Sequence, residues 1–509
     1  MIYPMTYAAS LAALALWFAY RNDEAKSKLL QTGFFVALAS FIASVAWAEA
    51  AWADKLGVLF RDLLVLAAFG MAFQFLSSPR RLLPVGLAAA ALLLVYHQAF
   101  MAQSLKPGRA VLGSEIRYDP DGELLLELAE GASLDALAVV VNKYRLTLSP
   151  AFSPESTEIT ELDDYYLVDI PVEHEGSMEQ IVEALQGLSV VDWVEPNEII
   201  ELSPLPASPS KDRVKKAFGL NDPAIERLWG FDAMRIDELF EYLEKHRLRP
   251  VRKALIAILD TGVDAKHQDL QGNFRSIRSD FDDDPMGHGT HCAGIAGAVS
   301  NNQVGIASFS KDNAFVEITS VKVLSRFGSG TQKTIIDGII LAADQGADVL
   351  SLSLGGPSDQ VKERAYRKAV DYANKKGAIV VVAAGNSNRD AKNYAPAGVP
   401  GVIAVSALDE QLNRASFSNH VANLDRGIAA PGVNIYSTIP NDKYTAFNGT
   451  SMATPYVAGL LGLLKSLDPD LDTERAYRIL QDTGRATGNT AETGYLIQPG
   501  AAVKALAGK

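Results

Sequence analysis

At 509 residues the chain exceeds one ordinary domain and leaves room for about three or four. A formal net charge of −13 excludes nucleic acid as a partner, because a phosphate backbone requires a basic face. The single cysteine, Cys292, excludes an internal disulfide and leaves the redox compartment open.

Hydrophobic residues make up 48% of the chain and gather toward its start. Four apolar runs, 3–20, 29–47, 56–77 and 82–101, each approach the ~20 residues a helix needs to cross a bilayer. The third contains Arg61 and Asp62, which are tolerated near a helix end where they snorkel or pair. The start lacks the basic residues of a cleaved signal peptide, and three further apolar runs follow it. Basic residues mark the first loop (Arg21, Lys26, Lys28) and the third (Arg80, Arg81), whereas the loop between them has only Lys55. This bias puts loops one and three in the cytoplasm and residues 102–509 on the extracytoplasmic side. The expectation is a multi-pass membrane protein with the lipid bilayer as a partner. Apart from Arg61, Asp62 and His97 the runs hold few polar groups, so 1–101 reads as a four-helix anchor rather than a channel or transporter.

Residues 102–202 read as a small α+β domain. Strands are expected at 123–128, 165–171 and 190–200, and helices at 133–144 and 177–188. The acidic, Pro/Ser-containing stretch 149–164 reads as loop with room for one more strand. The order β-α-β-β-α-β predicts a ferredoxin-like sandwich. A linker follows at 203–216, opening with Ser-Pro-Leu-Pro-Ala-Ser-Pro-Ser.

From 217 to 509, short apolar runs at 254–259, 349–354, 379–384 and 402–405 alternate with helical stretches. This is the pattern of an α/β domain with a parallel sheet covered on both faces, a doubly wound sheet whose reacting groups collect at the strands' carboxyl ends. Asp260 stands there, directly after the first run, in Leu-Asp-Thr-Gly-Val-Asp. A carboxylate at a strand end can orient an imidazole and stabilise its cation. His288, in Gly-His-Gly-Thr-His, opens an apolar helix. His291 lies one turn further on, but no glutamate intervenes and no third ligand is evident, which argues against zinc. Ser451, in Asn-Gly-Thr-Ser-Met-Ala-Thr-Pro, starts another helix, whose unpaired N–H groups favour an oxyanion. Asn386, in Ala-Ala-Gly-Asn-Ser, follows a buried run and can donate its amide to the same oxyanion. Taken singly, these residues are also ordinary caps and turns.

Together, Asp-Thr-Gly, Gly-His-Gly-Thr-His, Ala-Ala-Gly-Asn and Gly-Thr-Ser-Met-Ala-Thr-Pro resemble the four signatures of the subtilisin-like (S8) serine proteases, in the family's order. Asn221-Asp222-Pro223, Val321-Lys322-Val323-Leu324, Ser353-Leu354-Gly355-Gly356, Phe417-Ser418-Asn419 and Ala430-Pro431-Gly432 extend the resemblance across roughly 217–505. The end of the preceding domain, 190–197, resembles the closing strand of the inhibitor I9-like propeptides of such enzymes.

The resemblance implies a serine endopeptidase acting on protein or peptide substrates through an acyl-enzyme. Its triad would be Asp260, His288 and Ser451, with Asn386 in the oxyanion hole and no cofactor required for chemistry. It implies that Gly328, Ser329 and Gly330, with Ser353, Leu354 and Gly355, clamp a substrate as an extended strand. It implies a structural calcium at Asp269 and Asn302, although the sequence after Ile306 departs from the family's pattern. Cys292 matches a cysteine beneath the histidine of thiol-dependent members and equally fits a buried, inert small side chain. It further implies that 115–202 is the enzyme's own propeptide, cut within 203–220, so that the chain is a zymogen. Rival readings are an inactive binding module, and a membrane sensor with a regulatory protease domain.

Overall fold

The computed structural model describes residues 3–46, 117–202, 205–207, 218–358 and 363–508, with isolated positions 59, 63 and 66. The chain divides into two compact units, Met1–Arg117 and Tyr118–Lys509.

In the first unit, helices α1 (Tyr3–Ala19) and α2 (Glu24–Ala46) form a hairpin. Leu11, Leu14, Phe34 and Phe41 share its core, and Thr6 Oγ1 meets Ser44 Oγ at 2.9 Å. At ~1.5 Å per residue α1 reaches about 26 Å, short of a ~30 Å hydrocarbon core, while α2 exceeds it. The stretch Glu24–Ser44 is long and apolar enough to cross a membrane, by length and composition; Ala9–Ala19 is a shorter apolar helix. The expected spans at 56–77 and 82–101 lie outside the described residues, save for isolated positions.

The second unit begins with β1 (Leu124–Leu128), α3 (Ala138–Tyr144), β2 (Thr147–Pro150), β3 (Tyr165–Asp169), α4 (Met178–Gln186) and β4 (Val191–Pro196). They make an antiparallel sheet in the order β2-β3-β1-β4. Strand β2 overlaps the 149–164 stretch, expected as loop with room for one more strand, only at Ser149 and Pro150. The expected last strand is two: after β4 the chain continues as β5 (Glu198–Glu201), which leaves this sheet. A further short strand, β6 (Leu205–Pro206), lies in the segment expected to be pure linker.

The main sheet comprises β7 (Ala254–Asp260), β8 (Val316–Lys322), β10 (Val349–Leu352), β11 (Ile379–Ala383), β12 (Ile403–Leu408) and β13 (Gly427–Pro431). Strand β9 (Ser329–Thr331) stands apart from it and pairs with β5. The six strands are parallel, in the order β13-β12-β11-β10-β7-β8. Both faces are covered, as the nearly continuous apolar runs of the central strands require. Ile256, Ile258, Val349, Val381 and Val405 face one core, shared with α5 (His288–Gly297) and α8 (Thr450–Leu467). Leu255, Ala257, Leu350, Val380 and Val382 face the other, with α6 (Gln332–Asp344) and α7 (Arg364–Lys375). Leu125, Phe152, Leu162, Tyr165 and Ile200 join this second core, so the small sheet and its tail pack on the α6–α7 side.

From β7 the chain first runs outward to β8, then returns to β10 on the other side of β7. The order therefore reverses between β7 and β10, and a crevice opens at their carboxyl ends, where open α/β sheets place ligands.

Candidate active site

Asp260 closes β7 and Ser353 directly follows β10, on the two sides of that crevice. The Asp260 carboxylate is fully buried and accepts the Thr261 N–H at 2.7 Å. Its oxygens lie 2.8 and 2.9 Å from His288 Nδ1. His288 is the first residue of α5, and the approach of that helix to the β7 turn depends on two glycines. A Cβ at Gly262, where φ is +112°, would sit 2.0 Å from the Asp283 carbonyl oxygen, and one at Gly289 would sit 2.1 Å from the Gly262 carbonyl oxygen. Burial pushes the His288 imidazolium down, but the neighbouring Asp260 charge pulls the other way and prevails, so the group stands well above the ordinary 6.5.

Asp284, which the motifs do not flag, fastens this turn. One oxygen accepts from Thr261 Oγ1 at 2.8 Å and from the Met286 and Gly287 N–H groups; the other accepts from the Thr290 N–H and hydroxyl. Thr261 Oγ1 also accepts the Gly289 N–H. A single buried carboxylate thereby ties the turn after Asp260 to the first turn of α5.

Ser451 lies in the first turn of α8, one residue beyond Thr450. Its hydroxyl donates to the Ser353 carbonyl at 3.0 Å rather than to His288. Asn386, after β11, accepts the Thr450 N–H and hydroxyl on Oδ1, each at 2.9 Å. That orients the amide and leaves Nδ2 facing Gly449. A Cβ on Gly449 would lie 3.5 Å from both Asn386 Nδ2 and Ser451 N. The two nitrogens thus flank one point, which the glycine leaves free of a side chain.

His291 turns away from this centre. It stacks on Phe447 at 4.5 Å, its Nε2 lies 3.2 Å from the Thr445 carbonyl oxygen, and burial pushes it down to about 3. Cys292 is fully buried beneath His288, with Sγ 4.0 Å from Nδ1 and 3.5 Å from the Ser451 carbonyl oxygen. Burial pushes its thiol up, which keeps it protonated. Asp260, His288 and Cys292 form the one metal-type cluster found among the described residues, but its imidazole is committed to the carboxylate.

Gly328, Ser329 and Gly330 carry the tail of the small sheet. Strand β5 pairs antiparallel with β9, Glu201 opposite Ser329 and Ile200 opposite Gly330, and the Leu202 N–H donates to the Gly328 carbonyl at 2.8 Å. Across from it, Ile200 Cγ1 lies 3.6 Å from where a Gly356 Cβ would stand. Ser353 and Leu354 are buried, and the Ser353 hydroxyl donates to the Ser451 carbonyl at 2.8 Å. Beyond Leu202 the chain is described again at β6, which pairs with the end of β15 (Lys443–Asn448), the hairpin partner of β14 (Ile435–Ile439), with Leu205 opposite Asn448 and Pro206 opposite Phe447. Asn448 is only three positions before Ser451, so the stretch that pairs with β9 pairs again with the strand leading to the serine.

Asp269 and Asn302 meet elsewhere, Asn302 Nδ2 donating to Asp269 Oδ1 at 2.8 Å. Burial pushes the Asp269 carboxyl up to about 6, and the charge on Asp222 adds to the rise.

Residues 252–496 match the Subtilase family. The chain is 48% identical over 218 residues to thermitase from Thermoactinomyces vulgaris, covering 42% of this chain and 75% of that protein. It is 38% identical over 296 residues to a thermophilic serine proteinase from Bacillus sp. (strain AK1), covering 57% and 67%. It is 41% identical over 242 residues to subtilisin DY from Bacillus licheniformis, covering 46% and 85%. Among solved structures, proteases from Pseudoalteromonas arctica match with a TM-score of 0.50 at 29% identity, over 57% of this chain and 99% of that one. With the crevice, the buried Asp–His pair and the two nitrogens beside Gly449 all lying inside the matched region, the chain belongs to the subtilase family and is a serine endopeptidase.

Proposed function

We propose that Asp260, His288 and Ser451 are the catalytic triad and Asn386 an oxyanion donor, in a membrane-tethered enzyme that processes itself. His288 Nε2 takes the proton from Ser451 Oγ, which attacks the substrate carbonyl while Asp260 holds Nδ1 and stabilises the imidazolium. The oxyanion forms between Asn386 Nδ2 and Ser451 N. His288 returns the proton to the departing amine, and water, activated by the same imidazole, releases the acyl group. The observation that carries this reading is the convergence of those two donors beside a serine whose neighbouring imidazole is already paired with a buried carboxylate.

Residues 115–202 act as the propeptide, a ferredoxin-like domain whose tail holds the cleft until a cut within 203–220 frees it. The pairing of β5 with β9 supports this, because a protein substrate would need the same strand edge. The apolar N-terminal segment tethers the chain to the bilayer, with the peptidase domain outside the cytoplasm. After a cut the tether stays with the propeptide, so release from the membrane and activation coincide.

A structural calcium is part of this reading. Asp222 and Asp269 are both buried and each is pushed up by burial, a set of hard oxygen donors whose repulsion a cation relieves. Asp222, Asp269 and Asn302 would hold it, and its contribution is structural.

The test is to express the wild type and Ser451→Ala, sequence the amino terminus of the peptidase fragment, and add isolated 115–202 to it. Self-processing by the wild type alone, with inhibition in trans, supports the reading. An active wild type that stays full length and ignores 115–202 defeats the propeptide assignment.

A further inference from the structure

The tail that enters the cleft is held before it arrives there. The Glu195 carboxylate, 1% exposed, accepts the Arg364 and Ala365 N–H groups at 2.9 Å each, at the amino end of α7. It also accepts Gln332 Nε2 at 2.9 Å and the Trp193 indole N–H at 2.9 Å. Gln332 is itself 1% exposed, and Glu195 is the partner its amide is aimed at. Asn197 Oδ1, on the same strand face, accepts the Lys333 N–H at the amino end of α6. Nearby, Arg364 and Lys368 grip Glu127, also from the small sheet.

All these acceptors belong to 115–202, and most of the donors belong to the peptidase domain. When 115–202 leaves, the Gln332 amide, three helix-end N–H groups and two cations lose their partners together. A helix end of this kind attracts anions, and hydrogen bonds to an ionised acceptor are the strong ones. The segment also shows the geometry of a ligand: one extended chain reaches from the carboxylate at Glu195 to the strand pairing at Ile200 and Leu202.

We propose that the amino ends of α6 and α7 form a carboxylate-binding subsite for peptide substrates, selecting chains that carry an acidic side chain at the spacing of Glu195 from Leu202. It rests on the reading that 115–202 vacates the cleft. The subsite takes an extended acidic peptide; Gln332, Arg364 N and Ala365 N read the carboxylate, and Arg364 and Lys368 provide the positive field. It acts far from the scissile bond, so it strengthens ground-state and transition-state binding alike and lowers KM rather than raising kcat.

The experiment uses the wild-type chain after self-processing, at pH 8, where a glutamate in a free peptide is ionised. One quenched fluorogenic peptide begins with the sequence of residues 195–202 and continues into a proline-free tail; a second has Gln in place of the first Glu. Denatured casein reports whether the cleft is open. The expected result is a KM about tenfold lower for the Glu peptide at similar kcat, as one or two charge-assisted hydrogen bonds provide. Gln332→Leu should raise the KM of the Glu peptide toward that of the Gln peptide. Casein hydrolysis with equal KM for both peptides overturns the subsite alone. No hydrolysis of casein overturns the displacement of 115–202 and the subsite with it.

Discussion

Ser451 and Ser353 are bonded to each other twice: the Ser451 hydroxyl donates to the Ser353 carbonyl at 3.0 Å, and the Ser353 hydroxyl donates to the Ser451 carbonyl at 2.8 Å. The hydroxyl of the proposed nucleophile is thus held on the carboxyl end of β10. Replacing Ser451 with Ala removes only one of the two bonds. Ser451→Ala should therefore lose all peptidase activity and all labelling by a fluorophosphonate, while its melting temperature falls by no more than a few degrees, since a typical hydrogen bond contributes about 1 kcal/mol. Turnover by a folded Ser451→Ala protein would contradict the mechanism.

Asn386 has two duties, and substitution separates them. Its oxygen fixes the start of α8 through Thr450, while its nitrogen faces the oxyanion position. Asn386→Ala should lower kcat by about 10²–10³-fold with little change in KM, the effect known from subtilisin itself when it loses its oxyanion-hole asparagine. Asn386→Asp keeps the acceptor for Thr450 and loses the donor, so it should retain the wild-type melting temperature and still lose kcat. A rise in KM at constant kcat would make Asn386 a substrate-binding residue instead.

Much of this was legible in the sequence because it is local. Strands β7, β10, β11 and β12 are nearly continuous apolar runs, interrupted inside only by Ser351 and Ser406, and Asp260, His288, Asn386 and Ser451 sit in short motifs. Strands β8 and β13 were not read as strands: Glu317, Thr319 and Lys322 interrupt the one, and Gly427 and Pro431 bound the other. Pairing with β7 and β12 overrides those local signals. Four of the five donors to Asp284 lie within six residues of it, but nothing in the run Asp282-Asp283-Asp284 singles out the third carboxylate, and the role of Glu195 depends on helices far along the chain. The strand β6 reads as linker because Pro206 cannot supply a backbone donor and Pro204 and Pro209 stand close by, yet two ladder positions on β15 suffice to order it.

Asp284 makes no bond to the triad, yet it receives Thr261 Oγ1, the N–H groups of Met286, Gly287 and Thr290, and the Thr290 hydroxyl. Asp284→Ala strands several buried donors at about 1–3 kcal/mol each before the turn relaxes. The expected loss is about 3 kcal/mol or more, read as a fall of roughly 6–12 °C in melting temperature for a domain of this size. Because the turn sets the distance from Asp260 to His288, kcat should fall as well. Asp284→Asn, which keeps the shape, should recover part of the stability. An unchanged melting temperature would remove Asp284 from its positioning role.

Cys292 separates two alternatives left open by its motif. It is fully buried and its thiol is pushed up, away from the reactive thiolate. In the folded protein, iodoacetamide at pH 8 should leave Cys292 unmodified over hours, and unfolding in guanidinium should expose it to complete alkylation, both read by mass spectrometry. Rapid alkylation of the native enzyme with matching loss of activity would identify an accessible, reactive thiol.

The pH profile tests the Asp260–His288 pair from two directions. His288 must be neutral to accept the Ser451 proton, and its imidazolium is held well above the ordinary 6.5: burial opposes the charge, but the Asp260 carboxylate outweighs it. The acid limb of kcat/KM should therefore have its midpoint above 6.5, with activity increasing as pH rises through it. Stability should run the other way. A group whose folded-state value is raised stabilises the fold fully below its unfolded value near 6.5, and that contribution is lost as pH rises through the folded value. Over this window the free enzyme should gain activity while its melting temperature declines. Asp260→Asn removes the anion that raises His288, so it should move the acid limb to lower pH and flatten the stability slope. It should also cut kcat by roughly 10⁴-fold, as loss of the aspartate does in a Ser-His-Asp triad. An acid limb that stays in place in Asp260→Asn would mean that another group, not His288, sets the activity profile.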